Sequence, residues 1–72
     1  MSKFNEIFAI QESLDCLYPN DLVTIQRTKS HGPRTHTVNF QLYNMADGDR
    51  QFSGVVTVDT DEVCTWTEIE PT

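Results

Sequence analysis

The sequence is poor in glycine and in cations and has no long apolar run, and these absences exclude several protein classes. With three glycines in 72 residues, it contains neither the glycine-rich dinucleotide fingerprint nor a P-loop. No apolar run approaches 18 residues, so no membrane-spanning helix is expected. Cys16 and Cys64 do not form a C-x-x-C pair, and both are distant in sequence from His31 and His36, which argues against zinc. We therefore predict a non-enzymatic protein with no cofactor, no metal and no catalytic residues.

The chain is acidic overall, but its charge is unevenly distributed. Eleven Asp and Glu residues stand against five Lys and Arg, which gives a formal net charge of −6 and a pI of about 4.5. Such a chain repels nucleic acid on average. Residues 22–46 contain Arg27, Lys29 and Arg34 and no acid, whereas residues 47–72 contain seven acids and a single cation, Arg50. This segregation favours a function that depends on a charged surface.

The length predicts one small α+β domain that spans residues 1–72. A chain this short buries only about 60% of its unfolded surface, so its stability margin is small. No charged and apolar leader segment opens the sequence, and we expect a cytoplasmic protein with reduced thiols. Both cysteines are expected in or near the core, and a disulfide between them is the less favoured alternative.

Residues 1–18 are predicted to form a helix that ends at Tyr18 or one residue earlier, because Pro19 disfavours the α conformation of Tyr18. Ser2 is a candidate N-cap. One half of the helical wheel carries the apolar side chains Phe4, Ile7, Phe8, Ile10, Leu14, Leu17 and Tyr18. We expect this stripe to pack on a sheet, because so short a chain can hardly spare its one helix. The alternative is an exposed stripe that binds a partner or forms a dimer.

Apolar and polar residues alternate without interruption in residues 35–43, a pattern that predicts a half-buried strand. Residues 22–29, 51–58 and 63–69 predict three further strands, separated by turns at Gly32-Pro33, Asp47-Gly48 and residues 59–62. The short connections favour pairing between neighbours in sequence. The predicted fold is therefore one N-terminal helix packed on a four-stranded antiparallel meander (α-β-β-β-β).

Two positions in the last two strands depart from simple alternation. Gly54 has the same phase as Phe52 and Val56, which indicates either a bulge or space for an aromatic ring on the neighbouring strand. In the last strand Trp66 and Ile69 have opposite phases. We predict that Trp66 points inward, so Ile69 needs a bulge or lies at the rim of the sheet.

Three surfaces are candidates for function. The first is the acidic C-terminal third, a candidate protein-binding surface that comprises Asp47, Asp49, Asp59, Asp61, Glu62, Glu68 and Glu70. The second is a basic hairpin tip, a candidate anion-binding surface that comprises Arg27, Lys29, His31, Arg34 and His36. The third is the polar face of the sheet, which is rich in Thr, Asn and Gln and poor in charge. Each surface also has a plain interpretation as solvated turns or as β-favouring residues at exposed positions.

Together these features predict a small acidic protein-binding module that regulates or inhibits a larger protein through a charged surface. One alternative is a DNA mimic, of the type that some phages encode, whose carboxylates occupy a basic nucleic-acid groove. Another is weak binding of nucleic acid or phosphate by the basic hairpin. The oligomeric state is expected to be monomer or homodimer, with no membrane association.

Overall fold

The computed structural model describes residues 6–72 and has one helix followed by four strands. The elements are α1 (Glu6–Leu17), β1 (Leu22–Ser30), β2 (Thr35–Asn44), β3 (Gly48–Val58) and β4 (Cys64–Pro71). The strands form one antiparallel sheet in the order β1-β2-β3-β4. This confirms the predicted α+β meander, while the predictions made for Ser2 and Phe4 lie outside the described residues.

The core forms between α1 and one face of the sheet because β2 alternates as its sequence indicates. His36, Val38, Phe40 and Leu42 are buried, and the residues between them are half-buried on the other side. Around Phe40, three further aromatic rings pack at centroid distances of 5.8–6.2 Å to it: Phe52, Tyr18 and Trp66. Val56 and Val58 of β3 complete the layer.

The helix uses a narrower face than its apolar stripe predicts. Ala9, Ile10 and Leu14 are buried, whereas Ile7 and Leu17 remain about half exposed. On the side of α1 that faces β4, Ser13 accepts a hydrogen bond of 2.9 Å from the indole Nε1 of Trp66. The buried face of α1 therefore lies to one side of the apolar stripe, toward the small residues Ala9 and Ser13.

Gly54 leaves space for an aromatic ring of the neighbouring strand, as its position in the sequence pattern predicted. A Cβ atom placed on it would lie 2.8 Å from Cζ3 of Trp66 and 3.0 Å from the carbonyl oxygen of Glu68. Both distances are shorter than an ordinary contact, so this strand position accepts the indole only because it has no side chain. Trp66 therefore points inward, as predicted.

Two bulges change the phase of the outer strands. One lies between Ile25 and Arg27 on β1. The other lies opposite Val55 and Val56, where Thr67 is the additional residue of β4. The second bulge allows Trp66 and Ile69 to pack against the same core, which confirms the prediction for Ile69.

A cluster of polar side chains lies at the end of the sheet nearest the α1–β1 connection. Arg50 Nη2 lies 3.1 Å from Asp21 Oδ1, and the guanidinium stacks 5.9 Å above the ring centroid of Phe52. The side-chain amide of Asn44 also donates to Asp21. Asp21 is 11% exposed, so these contacts supply the donors that a mostly buried carboxylate requires.

The two cysteines are free, and their environments differ. Cys64 is half-buried, with its Sγ 3.5 Å from the carbonyl oxygen of Ala9. Burial raises the pKa of the Cys64 thiol, the Asp59 carboxylate adds to this effect, and a hydrogen bond with Ser13 opposes it. Cys16 is exposed, so its predicted place in or near the core was wrong: on the helical wheel it lies nearly opposite the buried Leu14.

Candidate binding surface on the open face of the sheet

The face of the sheet opposite α1 is not covered by any described element, and we call it the open face. In the register of the strands, every second residue of each strand belongs to it, except at the two bulges. Its central part consists of Thr24, Arg27 and Lys29 from β1, Thr37, Asn39, Gln41 and Tyr43 from β2, Asp49, Gln51, Ser53 and Val55 from β3, and Glu68 and Glu70 from β4.

The bulges determine which charged residues belong to this face. Without the bulge at Gln26, Arg27 would have the same phase as Val23 and Ile25 and would point toward α1. With it, Arg27 pairs with Asn39 and Lys29 pairs with Thr37, so both cations project from the open face. We call this pair of cations the basic margin.

The bulge at Thr67 has the corresponding effect at the other edge of the sheet. Glu68 pairs with Val55, and Glu70 pairs with Ser53, on the open face. We call these two carboxylates the acidic margin. Consecutive cross-strand rows therefore run Lys29-Thr37-Val55-Glu68 and Arg27-Asn39-Ser53-Glu70. Each row begins with a cation, ends with an anion and is uncharged between them.

A chain of side-chain amides crosses the neighbouring part of the open face. Gln41 Oε1 accepts hydrogen bonds from Gln26 Nε2 at 3.2 Å and from Gln51 Nε2 at 2.9 Å. Gln41 Nε2 in turn donates to Asp49 Oδ1 at 3.2 Å. These bonds join three strands through side chains that would otherwise be free to rotate, so this part of the surface is ordered before any partner binds.

Beyond the amides, the same face becomes apolar. Leu22 and Tyr43 lie directly opposite each other on β1 and β2, with exposed fractions of 66% and 41%. Aromatic side chains such as that of Tyr43 are enriched in protein contact surfaces.

The five candidate anion-binding residues separate into two groups. Arg27 and Lys29, together with Thr37 and Asn39, line a concavity of about 240 Å³ on the open face. His31 is next to this group, because its Nε2 lies 2.6 Å from the hydroxyl of Thr37. Within residues 6–72 neither cation of the basic margin forms an ion pair.

His36 and Arg34 lie elsewhere, although the sequence interpretation grouped them with the exposed hairpin tip. His36 has the phase of Val38 and Phe40, so its ring points toward α1 and is only 5% exposed. Arg34 lies on another concavity of about 250 Å³, which it shares with the carboxylates of Glu6 and Asp59. The basic surface is therefore smaller than predicted.

The surroundings of His36 contain a contact that sequence spacing did not reveal. Its Nδ1 lies 3.2 Å from Ser30 Oγ, and its Nε2 lies 2.8 Å from Glu6 Oε1, although the ring N–H is not well aligned with that oxygen. A serine, a histidine and a carboxylate in contact form the set used in nucleophilic catalysis. Here Ser30 is not among the residues that line the concavity of about 250 Å³ next to Glu6, so its hydroxyl does not face a space that could hold a substrate. We interpret the set as a link between the first turn of α1 and the β1–β2 hairpin.

The seven candidate acidic residues follow the β3–β4 side of the molecule. Asp49, Glu68 and Glu70 belong to the open face, and Asp47 lies in the β2–β3 turn, 4.0 Å from the guanidinium of Arg50. Asp59, Asp61 and Glu62 belong to the β3–β4 turn, where Asp59 Oδ1 accepts hydrogen bonds from the backbone N–H groups of residues 61 and 63. Asp59 thus stabilises the turn, and DNA mimicry by the whole set stays a prediction.

In residues 6–72 no three His, Cys, Asp or Glu side chains converge in a way that could hold a metal ion. No helix in this part of the chain is long and apolar enough to cross a membrane.

Comparisons with protein-family models, with curated proteins and with solved structures find no match for this chain. The sequence predicted a polar face, poor in charge, that included Thr24, Thr37, Asn39, Gln41 and Tyr43, but it did not predict the two charged margins. The sequence did contain a signal for the two bulges. Arg27 interrupts the alternation of apolar and polar residues in β1, and Ile69 interrupts the alternation in β4.

Proposed function

We propose that this protein is a small non-enzymatic module that binds a protein partner through the open face of its sheet. The observation that carries the proposal is the pair of bulges, which place the basic margin and the acidic margin on one face with uncharged side chains between them. Opposite charges at the periphery of a patch guide an approaching partner into one orientation.

Two further observations support this assignment. The amide chain through Gln41 is ordered before binding, so little side-chain entropy would be lost there. Leu22 and Tyr43 supply apolar area next to it, and aromatic residues are enriched in protein interfaces. The central positions Asn39 and Ser53 are small or of medium size and are directly paired, so a partner surface can approach closely.

The test is capture of host proteins by the immobilised protein and by two matched variants. Asn39→Arg and Ser53→Arg each add a long cation at the centre of the open face, and both are expected to abolish the retention of a specific protein. The control is Glu12→Lys on the exposed side of α1, which is expected to leave it unchanged. A protein retained by the wild type and the control and lost with both open-face variants supports the proposal.

A variant of the acidic β3–β4 turn provides the result that would contradict the proposal. Asp61→Lys with Glu62→Lys changes the β3–β4 turn without touching the open face. If this variant loses the partner while Asn39→Arg retains it, the acidic turn is the contact surface and the open-face assignment is wrong. Circular dichroism establishes that each variant is folded before it is used.

A second candidate function is binding of a phosphate-bearing ligand by the basic margin. It is favoured by the concavity that Arg27 and Lys29 share with Thr37 and Asn39, since hydroxyl and amide groups complement guanidinium and ammonium donors around a phosphate. Two cations on a chain of net charge −6 predict weak and strongly salt-dependent binding. Titration with a labelled single-stranded oligonucleotide at low salt tests it, and unchanged binding by Arg27→Gln with Lys29→Gln would exclude this site.

A further inference from the structure

The charges of the open face are arranged so that the face is complementary to itself. The basic margin lies on β1 and the acidic margin on β4, at opposite edges of a sheet in which β2 and β3 are central. Lys29 begins the row that Glu68 ends, and Arg27 begins the row that Glu70 ends. Each cation therefore has a carboxylate at the same level along the strands.

We propose that the partner of the open face is a second copy of this chain, bound face to face about a twofold axis parallel to the strands. The inference rests on the proposed function, because it names the occupant of the same surface. An axis in this direction exchanges the left and right edges of the sheet and preserves the level along the strands. Lys29 then lies over the partner's Glu68, and Arg27 lies over the partner's Glu70.

The positions on the two central strands are also compatible in this arrangement. Strand β2 lies over the partner's β3, so Asn39 meets the partner's Ser53 and Tyr43 meets the partner's Asp49. Packed sheets are about 10 Å apart, and their twist makes them diverge toward the corners. Long side chains such as Arg, Lys and Glu are suited to bridging this wider gap, and here they lie on the two outer strands.

The other symmetric arrangement is disfavoured by charge. A twofold axis perpendicular to the strands would place the basic margin over the partner's basic margin and the acidic margin over its acidic counterpart, a repulsive combination. Edge-to-edge extension of the sheet from β1 to β4 of another copy is opposed by the bulge in each edge strand and by Pro71, which lacks a backbone donor.

The size of the face indicates a weak dimer. Four strands about 4.8 Å apart and about eight residues long at 3.4 Å per residue offer about 500 Å² per copy. The total of about 1,000 Å² is at the lower end of specific interfaces. We therefore expect association at high protein concentration and low salt, weakening as salt screens the margins.

Sedimentation velocity on the full chain tests the inference with two charge reversals. Variant A carries Arg27→Glu and Lys29→Glu, so both of its margins are acidic. Variant B carries Glu68→Lys and Glu70→Lys, so both of its margins are basic. Each reversal changes the net charge of −6 by four, so A and B both remain net negative, at −10 and −2. General attraction between oppositely charged molecules therefore cannot bring A and B together.

The wild type is expected to form a dimer, and A and B alone are each expected to associate at least on the order of tenfold more weakly because like charges then face each other. An equimolar mixture of A and B is expected to restore the dimer. The control, Glu12→Lys with Asp15→Lys on the exposed side of α1, has the same charge change as B and is expected to behave as the wild type.

Three results would overturn the inference. The first is a wild type that stays monomeric at millimolar concentration in low salt, and the second is a mixture of A and B that stays monomeric. The third is a wild-type assembly larger than a dimer, which would indicate edge-to-edge growth.

If a charge reversal prevents folding, the test with that variant is replaced by amide chemical shifts of the wild type measured at increasing protein concentration. Shifts confined to Thr37, Asn39, Ser53 and Val55 support the dimer, and shifts confined to α1 refute it. A monomeric wild type whose Asn39→Arg variant still loses a captured host protein refutes the dimer alone and leaves the proposed function in place.

Discussion

Replacement of Gly54 by alanine is expected to destabilise the protein, chiefly through a steric clash with the indole of Trp66. The new Cβ would lie 2.8 Å from Cζ3 and 2.9 Å from Cε3 of Trp66, whereas ordinary contacts begin at 3.4 Å. The indole therefore has to move by about 0.6 Å, the difference between the two distances. It is held in place by its 2.9 Å hydrogen bond to Ser13 and by the edge-to-face contact with Phe40 at 6.2 Å.

The expected magnitude follows from two opposing effects. Overpacking of a well-filled core costs about 1–3 kcal/mol. Alanine also restricts the unfolded chain relative to glycine, which returns about 0.4–1 kcal/mol. We expect the free energy of unfolding of Gly54→Ala to fall by about 1–2 kcal/mol. For a domain of this size, that corresponds to a decrease in Tm of roughly 5–15 °C.

Urea unfolding followed by far-UV circular dichroism measures this loss in a double-mutant cycle. In the Trp66→Leu background the clash with the indole is absent, so Gly54→Ala is expected to cost less than about 0.5 kcal/mol. The remaining close approach is to the carbonyl oxygen of Glu68 at 3.0 Å. Gly32→Ala is the matched control, because a Cβ atom there has no neighbour within 4 Å, and it is expected to be neutral. A Gly54→Ala protein as stable as the wild type, or an equal cost in both backgrounds, would refute the packing described for Trp66.

The remaining predictions concern the polar cluster and the two thiols. Arg50→Met removes the charged partner of the mostly buried Asp21 and is expected to lower the free energy of unfolding by about 1–3 kcal/mol. Part of this loss should be recovered when Asp21→Asn is added, and a cost below about 0.5 kcal/mol in urea unfolding would contradict the role of the cluster. With a chromogenic disulfide reagent at neutral pH, the exposed Cys16 is expected to react at once and Cys64 only slowly; equal rates would show that Cys64 is accessible. Because the pKa of Cys64 is raised above 9.0 in the folded protein, its thiol ionises first in the unfolded chain, so its contribution to stability is intact below pH 9 and is lost as the pH rises above that value. Alkaline unfolding of Cys64→Ala, compared with wild type, isolates this contribution, and identical pH profiles would exclude it.

Much of the fold could be predicted from local patterns. The alternation in residues 35–43 predicts the buried side of β2, and Pro19 predicts the end of α1, which is at Leu17. These predictions succeeded because side-chain period and proline geometry act within a few residues of the chain. The space at Gly54 and the bulge before Ile69 were also predicted, since each was visible as an interruption of a regular period.

The predictions that failed concern residues whose environment is set by distant parts of the chain. His36 was assigned to the exposed hairpin tip because it lies close in sequence to the turn at Gly32-Pro33. It is buried because its strand phase turns it toward α1, where it meets Glu6 across 30 positions. The apolar stripe of α1 is only partly covered, and the side of the helix that meets Trp66 carries Ser13, a residue 53 positions away in sequence.

By itself, the sequence determined one helix and four strands, their antiparallel order and the uneven distribution of charge, since all of these depend on local period, turn residues and composition. Tertiary structure decided which face carries the charge. Arg27, Lys29, Glu68 and Glu70 have the phases of the open face only because a bulge precedes each pair. The position of a bulge depends on how a strand pairs with its neighbour and on which large side chains the core accepts, and neither is a property of the strand alone.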